Sequence, residues 1–158
     1  MWVRKGTRPR AVVQQRFQWL YVYAFLHPAS GQSEWLLLPT VNVAVFSLAL
    51  AHFAQAVGAG QTKQVLLVLD RAGWQTRQEL AVPEGIHRLF LPPYSPEVQP
   101  CERLWPLTHE VLANRHFQTL DDLEAVQSQR WVVLQQHPET ICAHTHFHWW
   151  PPARSKRE

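Results

Sequence analysis

Alternation dominates the first part of the chain. Phe17, Trp19, Tyr21, Tyr23 and Phe25 occupy every second position between Arg16 and Leu26, with Leu20, Val22, Ala24 and Leu26 between them. This pattern predicts a strand that is apolar on both faces. Pro28-Ala29-Ser30-Gly31 then reverses the chain, and Ser33 to Val41 is the antiparallel partner, with Pro39 near its end. The period lengthens after Asn42, a good helix cap: Val43, Phe46, Leu50, Phe53 and Val57 recur at helical intervals until Gly58-Ala59-Gly60 ends the helix. The run Gln64 to Leu69 is continuously apolar, as in a strand covered on both faces at a parallel position. Arg71 to Trp74 reads as a turn, Thr76 to Leu80 as a short helix stopped by Pro83 and Gly85, and Ile86 to Leu91 as the adjacent strand.

Prolines punctuate the next stretch. Pro92, Pro93 and Pro96 fix φ and remove amide donors, which predicts an extended, stiff loop from Pro92 to Pro96. Pro100 suits the first turn of a helix and places Glu102 near its amino end. Pro106 lacks the amide that would bond the Glu102 carbonyl, so a kink or restart is expected there. Leu107, Val111 and Leu112 continue an apolar face that Asn114-Arg115-His116 breaks. Thr119 and Asp122 form a capping-box pattern opening a helix to about Gln136, which should bury Leu120, Leu123, Val126 and Leu134 before Pro138 closes it. Asp121 and Asp122 oppose the helix dipole there and need no chemistry. The predicted order is strand, strand, helix, strand, helix, strand, helix: an α/β fold.

Composition narrows the class. A chain of 158 residues with 46% apolar content supports one cored domain, taken as residues 1–150, with 151–158 a basic tail. Cys101 and Cys142 make no disulfide framework, and no signal peptide or spanning stretch is visible, so a reducing cytoplasmic setting with no membrane partner is expected. The net charge of +3 is modest, but residues 1–33 hold Arg4, Lys5, Arg8, Arg10 and Arg16 with no acid. Such an arm suits DNA phosphates, and equally a solvated loop.

Two acids stand where chemistry is placed. Asp70 lies at the carboxyl end of a predicted strand and Glu102 at a helix start, each beside a loop. Mg²⁺ is held by one or two carboxylates with phosphate oxygens and water. On spacing alone, strand-end acids are more often caps or solvated charges. Arg71 and Arg103 adjoin the pair and could contact phosphates, while Trp74, Tyr94 and Trp105 could shape the site or stack on a displaced base; packing and surface salt bridges serve equally. A competing site is Cys142 with His144, His146 and His148, which a strand would place on one face toward Zn²⁺, although the spacing matches no standard zinc pattern and Phe147, Trp149 and Trp150 suggest a tail packing back on the domain.

Val68-Leu-Asp70-Arg-Ala-Gly-Trp74, followed by Leu91-Pro-Pro-Tyr-Ser-Pro-Glu-Val-Gln-Pro-Cys-Glu102-Arg-Leu-Trp105, resembles the second and third acidic blocks of DDE superfamily endonucleases, the transposases of bacterial insertion sequences in the mariner-like group. The similarity continues through Asn114-Arg-His-Phe117 to His146-Phe-His-Trp-Trp150. It implies an RNase H-like (retroviral-integrase-like) mixed sheet flanked by helices, and cutting and joining of DNA at transposon ends and targets by two-metal phosphodiester hydrolysis and transesterification, with no covalent protein intermediate. Asp70 and Glu102 correspond to the second and third catalytic, metal-binding acids for Mg²⁺ or Mn²⁺; Arg4, Lys5, Arg8, Arg10, Arg71 and Arg103 are the DNA-contact candidates. The segment Trp2-Val-Arg-Lys5-Gly6 matches the block downstream of the family's first acid, yet only Met1 precedes it, and Glu34 is the sole acid before Asp70. Gln75 stands where the pattern has histidine. The expectation is therefore a catalytic domain without its first strand and first aspartate, inactive or weakly active alone. The alternatives are a non-catalytic nucleic-acid-binding remnant, a subunit completed by a separately encoded amino-terminal segment, and a structural fragment whose open sheet edge makes a homodimer.

Overall fold

The two faces of one hairpin carry the two cores of the protein. In the computed structural model, which describes residues 19–147, β1 (Tyr21–His27) pairs antiparallel with β2 (Gln32–Leu38), in the register Tyr23↔Leu36 and Ala24↔Trp35. Paired residues share a face, so alternation sends Tyr23, Phe25, Leu36 and Leu38 to one side and Ala24, Leu26 and Trp35 to the other. The first side packs on α1 (Val43–Val57), with Phe25 stacked on Phe53 at 4.3 Å between ring centroids. The second packs on Leu104, Leu134 and Ile141. The sequence pattern of a strand apolar on both faces is thus borne out.

Helix α1 begins where Asn42 Oδ1 accepts from Val45 N at 2.8 Å, and ends on Gly58 in the left-handed region. It turns Phe46, Leu50 and Phe53 inward, as its spacing predicts. Its core also takes in Leu69 and Ile86 from a second sheet, in which β3 (Val65–Leu69) and β4 (Ile86–Phe90) run parallel. The outer face of that pair is open: Leu66 is 63% and Leu89 49% exposed, against the expectation of a strand covered on both faces. A continuous apolar run reports strand character without reporting how many faces are covered.

Between β3 and β4 the expected helix at Thr76–Leu80 is replaced by turns. Gln75, which is buried, closes the first turn through Gln75 N to Ala72 O at 2.8 Å, and Thr76 Oγ1 bonds back to Gly73 O at 3.2 Å, so local bonds displace helical ones. The proline loop also differs. Its chain turns at Pro93-Tyr94 and enters a 3-10 segment at Pro96–Val98, where an extended run to Pro96 was expected.

Pro100–Leu104 is a second 3-10 segment, and α2 (Trp105–His109) restarts with Pro106 in its first turn. This is the interruption that the missing amide at Pro106 requires. Helix α3 (Leu120–Gln136) opens with the predicted capping box, Thr119 Oγ1 accepting from Asp122 N at 3.1 Å while Thr119 N donates to Asp122 Oδ2 at 3.2 Å. Thr119→Ala is expected to cost about 1 kcal/mol in a urea melt. Its buried residues are Gln127, Trp131 and Leu134; Leu120, Leu123 and Val126, expected inside, are half-buried because α3 meets the hairpin through Trp131, stacked on Trp35 at 5.2 Å. Pro138 ends α3 as expected but also begins α4 (Pro138–Thr145), a good first-turn position for proline.

Among the described residues no helix is long and apolar enough to cross a membrane. The expected loss of a first strand, the arm residues Arg4, Lys5, Arg8 and Arg10, and the tail 151–158 lie outside the described residues.

Candidate active site

Parallel pairing of β3 and β4 brings two chain exits to one edge. Leu69 pairs with Phe90, and Leu91 N bonds Leu69 O at 2.8 Å, so Asp70 and the proline loop leave the sheet together. Asp70 is exposed; its Oδ1 accepts from Ala72 N at 3.1 Å in an Asx turn. Arg71 follows with φ 68°, which swings its side chain over the Phe90 ring, 5.9 Å from the centroid. Gln75, where histidine was expected, is a structural member of this turn: its Oε1 accepts from Ala72 N and its carbonyl from Arg88 Nη1 at 2.7 Å.

Glu102 is exposed in the first turn of the Pro100–Leu104 segment. Buried Leu104 anchors that segment in the second core, and Arg130, bonded to Leu107 O and paired with Glu110 at 2.9 Å, ties the following turns to α3. Arg103 lies over Phe147, 4.1 Å from its centroid, and Phe147 is buried, so this part of the tail does fold back on the domain. Both arginines adjoining the acids therefore rest on aromatic rings, and among the described residues no salt bridge engages Asp70 or Glu102. Exposed carboxylates without a competing cation are the donor chemistry a hard divalent ion takes. Each suits such an ion as a partial ligand, completed by water and phosphate oxygens.

An open cleft of about 510 Å³ borders Glu102, with Glu97, Arg103 and His144 on its walls. Sequence reading missed the last of these as a neighbour. His144 lies in α4 and its Nδ1 bonds Thr140 O at 2.8 Å, so Cys142, His144 and His146 do not alternate on a strand as a zinc site would need; His148 lies outside the described residues. Proline followed by Glu139 was the available helix-start signal. Among the described residues no cluster of three or more His, Cys, Asp or Glu side chains is placed to hold a metal.

Cys101, beside Glu102, donates its thiol to Ala24 O at 3.5 Å, and burial, with a smaller push from the Glu102 charge, raises its pKa to about 12. Unfolding returns it to its ordinary 9.0, so the contribution to stability is complete below pH 9 and falls as pH rises toward 12. Iodoacetamide at neutral pH is expected to label Cys101 more than about tenfold slower in the folded than in the denatured chain.

The family described as "DDE superfamily endonuclease" matches residues 1–124. An uncharacterized protein of Sinorhizobium fredii (strain NBRC 101917 / NGR234), y4pE/y4sA, is 33% identical over 124 residues, 78% of this chain and 90% of that protein. A chain in the crystal structure of the Mos1 strand transfer complex superposes with a TM-score of 0.56 at 15% identity, over 95% of this chain. The present chain spans 50% of that chain's length.

Proposed function

Because this chain belongs to the DDE superfamily endonucleases, we propose that it is the catalytic part of a transposase-type DNA endonuclease and strand transferase, using Asp70 and Glu102 as two of its acids. The fold is RNase H-like. The observation that carries the reading is the pair of exposed acids whose neighbouring arginines are held on Phe90 and Phe147. Asp70, fixed by its Asx turn, and Glu102, fixed by the 3-10 segment, are the residues that would hold divalent cations, the metal class this family uses. Bound there, Mg²⁺ or Mn²⁺ would activate an attacking oxygen and stabilise the leaving one at phosphorus. The chain's own contribution is to leave both acids free of salt bridges among the described residues, and to offer Arg71 and Arg103 to phosphates beside them.

These 158 residues carry no third acid matching the family pattern. Glu34 sits opposite Phe25 in the hairpin, a place set by the register rather than by Asp70. Among the described residues each of the four strands pairs on one edge only, so both sheets keep a free edge at which a further strand could add. The test is Mn²⁺-dependent cleavage of a duplex carrying terminal inverted repeats. The chain by itself should cleave weakly or not at all, and a polypeptide supplying the acid-bearing strand should raise cleavage. Robust strand transfer by the chain alone would overturn the impaired reading, and DNA affinity indifferent to chelator and to Asp70→Ala, with no cleavage when complemented, would favour a binding remnant.

A further inference from the structure

Tyr94 is 98% exposed, more than any other large apolar side chain among the described residues. Tyrosine rings ordinarily bury most of their area, because the ring is apolar and only the hydroxyl needs water. Here the backbone is also unusual: φ is 57°, a region in which residues with a side chain are uncommon. A strained residue presenting an unburied aromatic ring is a combination that packing does not explain.

The loop around it is stiff. Pro92, Pro93 and Pro96 fix their own φ, Ser95 Oγ bonds Pro93 O at 3.3 Å, and Gln99 N bonds Pro96 O at 3.0 Å. Little freedom remains to be lost when something settles on the ring. The loop leaves the sheet beside Asp70, and the Phe90 ring at its root carries both Arg71 and Arg88, at 5.9 and 5.6 Å. An exposed aromatic ring on a loop whose root carries two guanidiniums offers the chemistry for a nucleotide in an unpaired strand, base on the ring and phosphate on the cations.

We propose that Tyr94 is the stacking platform for an unpaired nucleobase next to the phosphate that Asp70 and Glu102 address. The inference rests on the endonuclease reading of the site. It is tested by equilibrium binding, in Ca²⁺, of the full chain to a duplex ending in a short single-stranded tail that carries a fluorescent adenine analogue. The parent and Tyr94→Phe should quench the analogue and bind alike. Tyr94→Ala and Tyr94→Gly should lose the quench and about tenfold in affinity for the tailed DNA, with affinity for fully paired duplex unchanged. Tyr94→Gly should melt no lower than the parent, since glycine adopts positive φ freely, which separates the binding loss from misfolding. Parent-like binding and quenching by Tyr94→Ala would overturn the platform and leave the endonuclease reading standing; a parent that binds no DNA would remove both.

Discussion

Gly31→Ala is expected to destabilise the fold by roughly 3 kcal/mol, while Gly58→Ala costs only about 1 kcal/mol. The two glycines have nearly the same backbone, φ 72° and 69°, so the left-handed penalty is common to both. Their surroundings differ. A Cβ on Gly58 meets nothing within 4 Å, whereas one on Gly31 would collide with the backbone carbonyl of Pro138. That carbonyl belongs to the first turn of α4 and cannot rotate away as a side-chain end would. The hairpin and α4 must separate, loosening the core of Leu104, Leu134 and Ile141 that anchors the Glu102 segment. Paired urea melts check the difference; equal losses at the two positions would mean that hairpin and α4 do not meet as described.

Leu50→Ala should cost about 3 kcal/mol or more in the same measurement. Leu50 is 0% exposed at the centre of α1, among Phe46, Phe53, Leu69 and Ile86, so the lost methyl groups leave a cavity walled by two sheets and a helix that cannot all close on it. Because Leu69 immediately precedes Asp70, the cavity should also soften that acid's strand end. Leu48, on the same helix but 70% exposed, is the control, and Leu48→Ala should change stability by less than about 0.5 kcal/mol.

Much of this fold is written in short-range pattern. The hairpin, α1, the β3–β4 pair and α3 are each marked by periodicity together with a cap, and Asn42, Gly58, Thr119 and Asp122 act in the structure as their residue types predict. The departures are places where a side chain does something that propensity does not encode. Gln75 turns inward to bond Ala72, so Thr76–Leu80 remains turns. Leu66 and Leu89 are apolar yet exposed, because burial is decided by which element arrives on a face, and none does among the described residues. Tyr94 breaks an otherwise extended proline loop by taking positive φ. For the site, the sequence identifies Asp70, Glu102 and their neighbouring arginines, but that those arginines rest on Phe90 and Phe147, the latter far along the chain, is a tertiary fact. His144 joins the cleft of Glu102 for the same reason: α4 returns to the 3-10 segment, and no local pattern records that approach.

Asp70 and Glu102 are proposed to act together on a divalent cation. Calorimetric titration of the chain with Mn²⁺, beside Asp70→Ala and Glu102→Ala, tests it most directly. Both side chains are exposed, so neither substitution should unfold the protein. Mn²⁺ binding by the parent should be lost in each variant, because an ion held by few protein carboxylates does not survive removal of one. Binding that persists unchanged in both variants, or no binding by the parent, would contradict it.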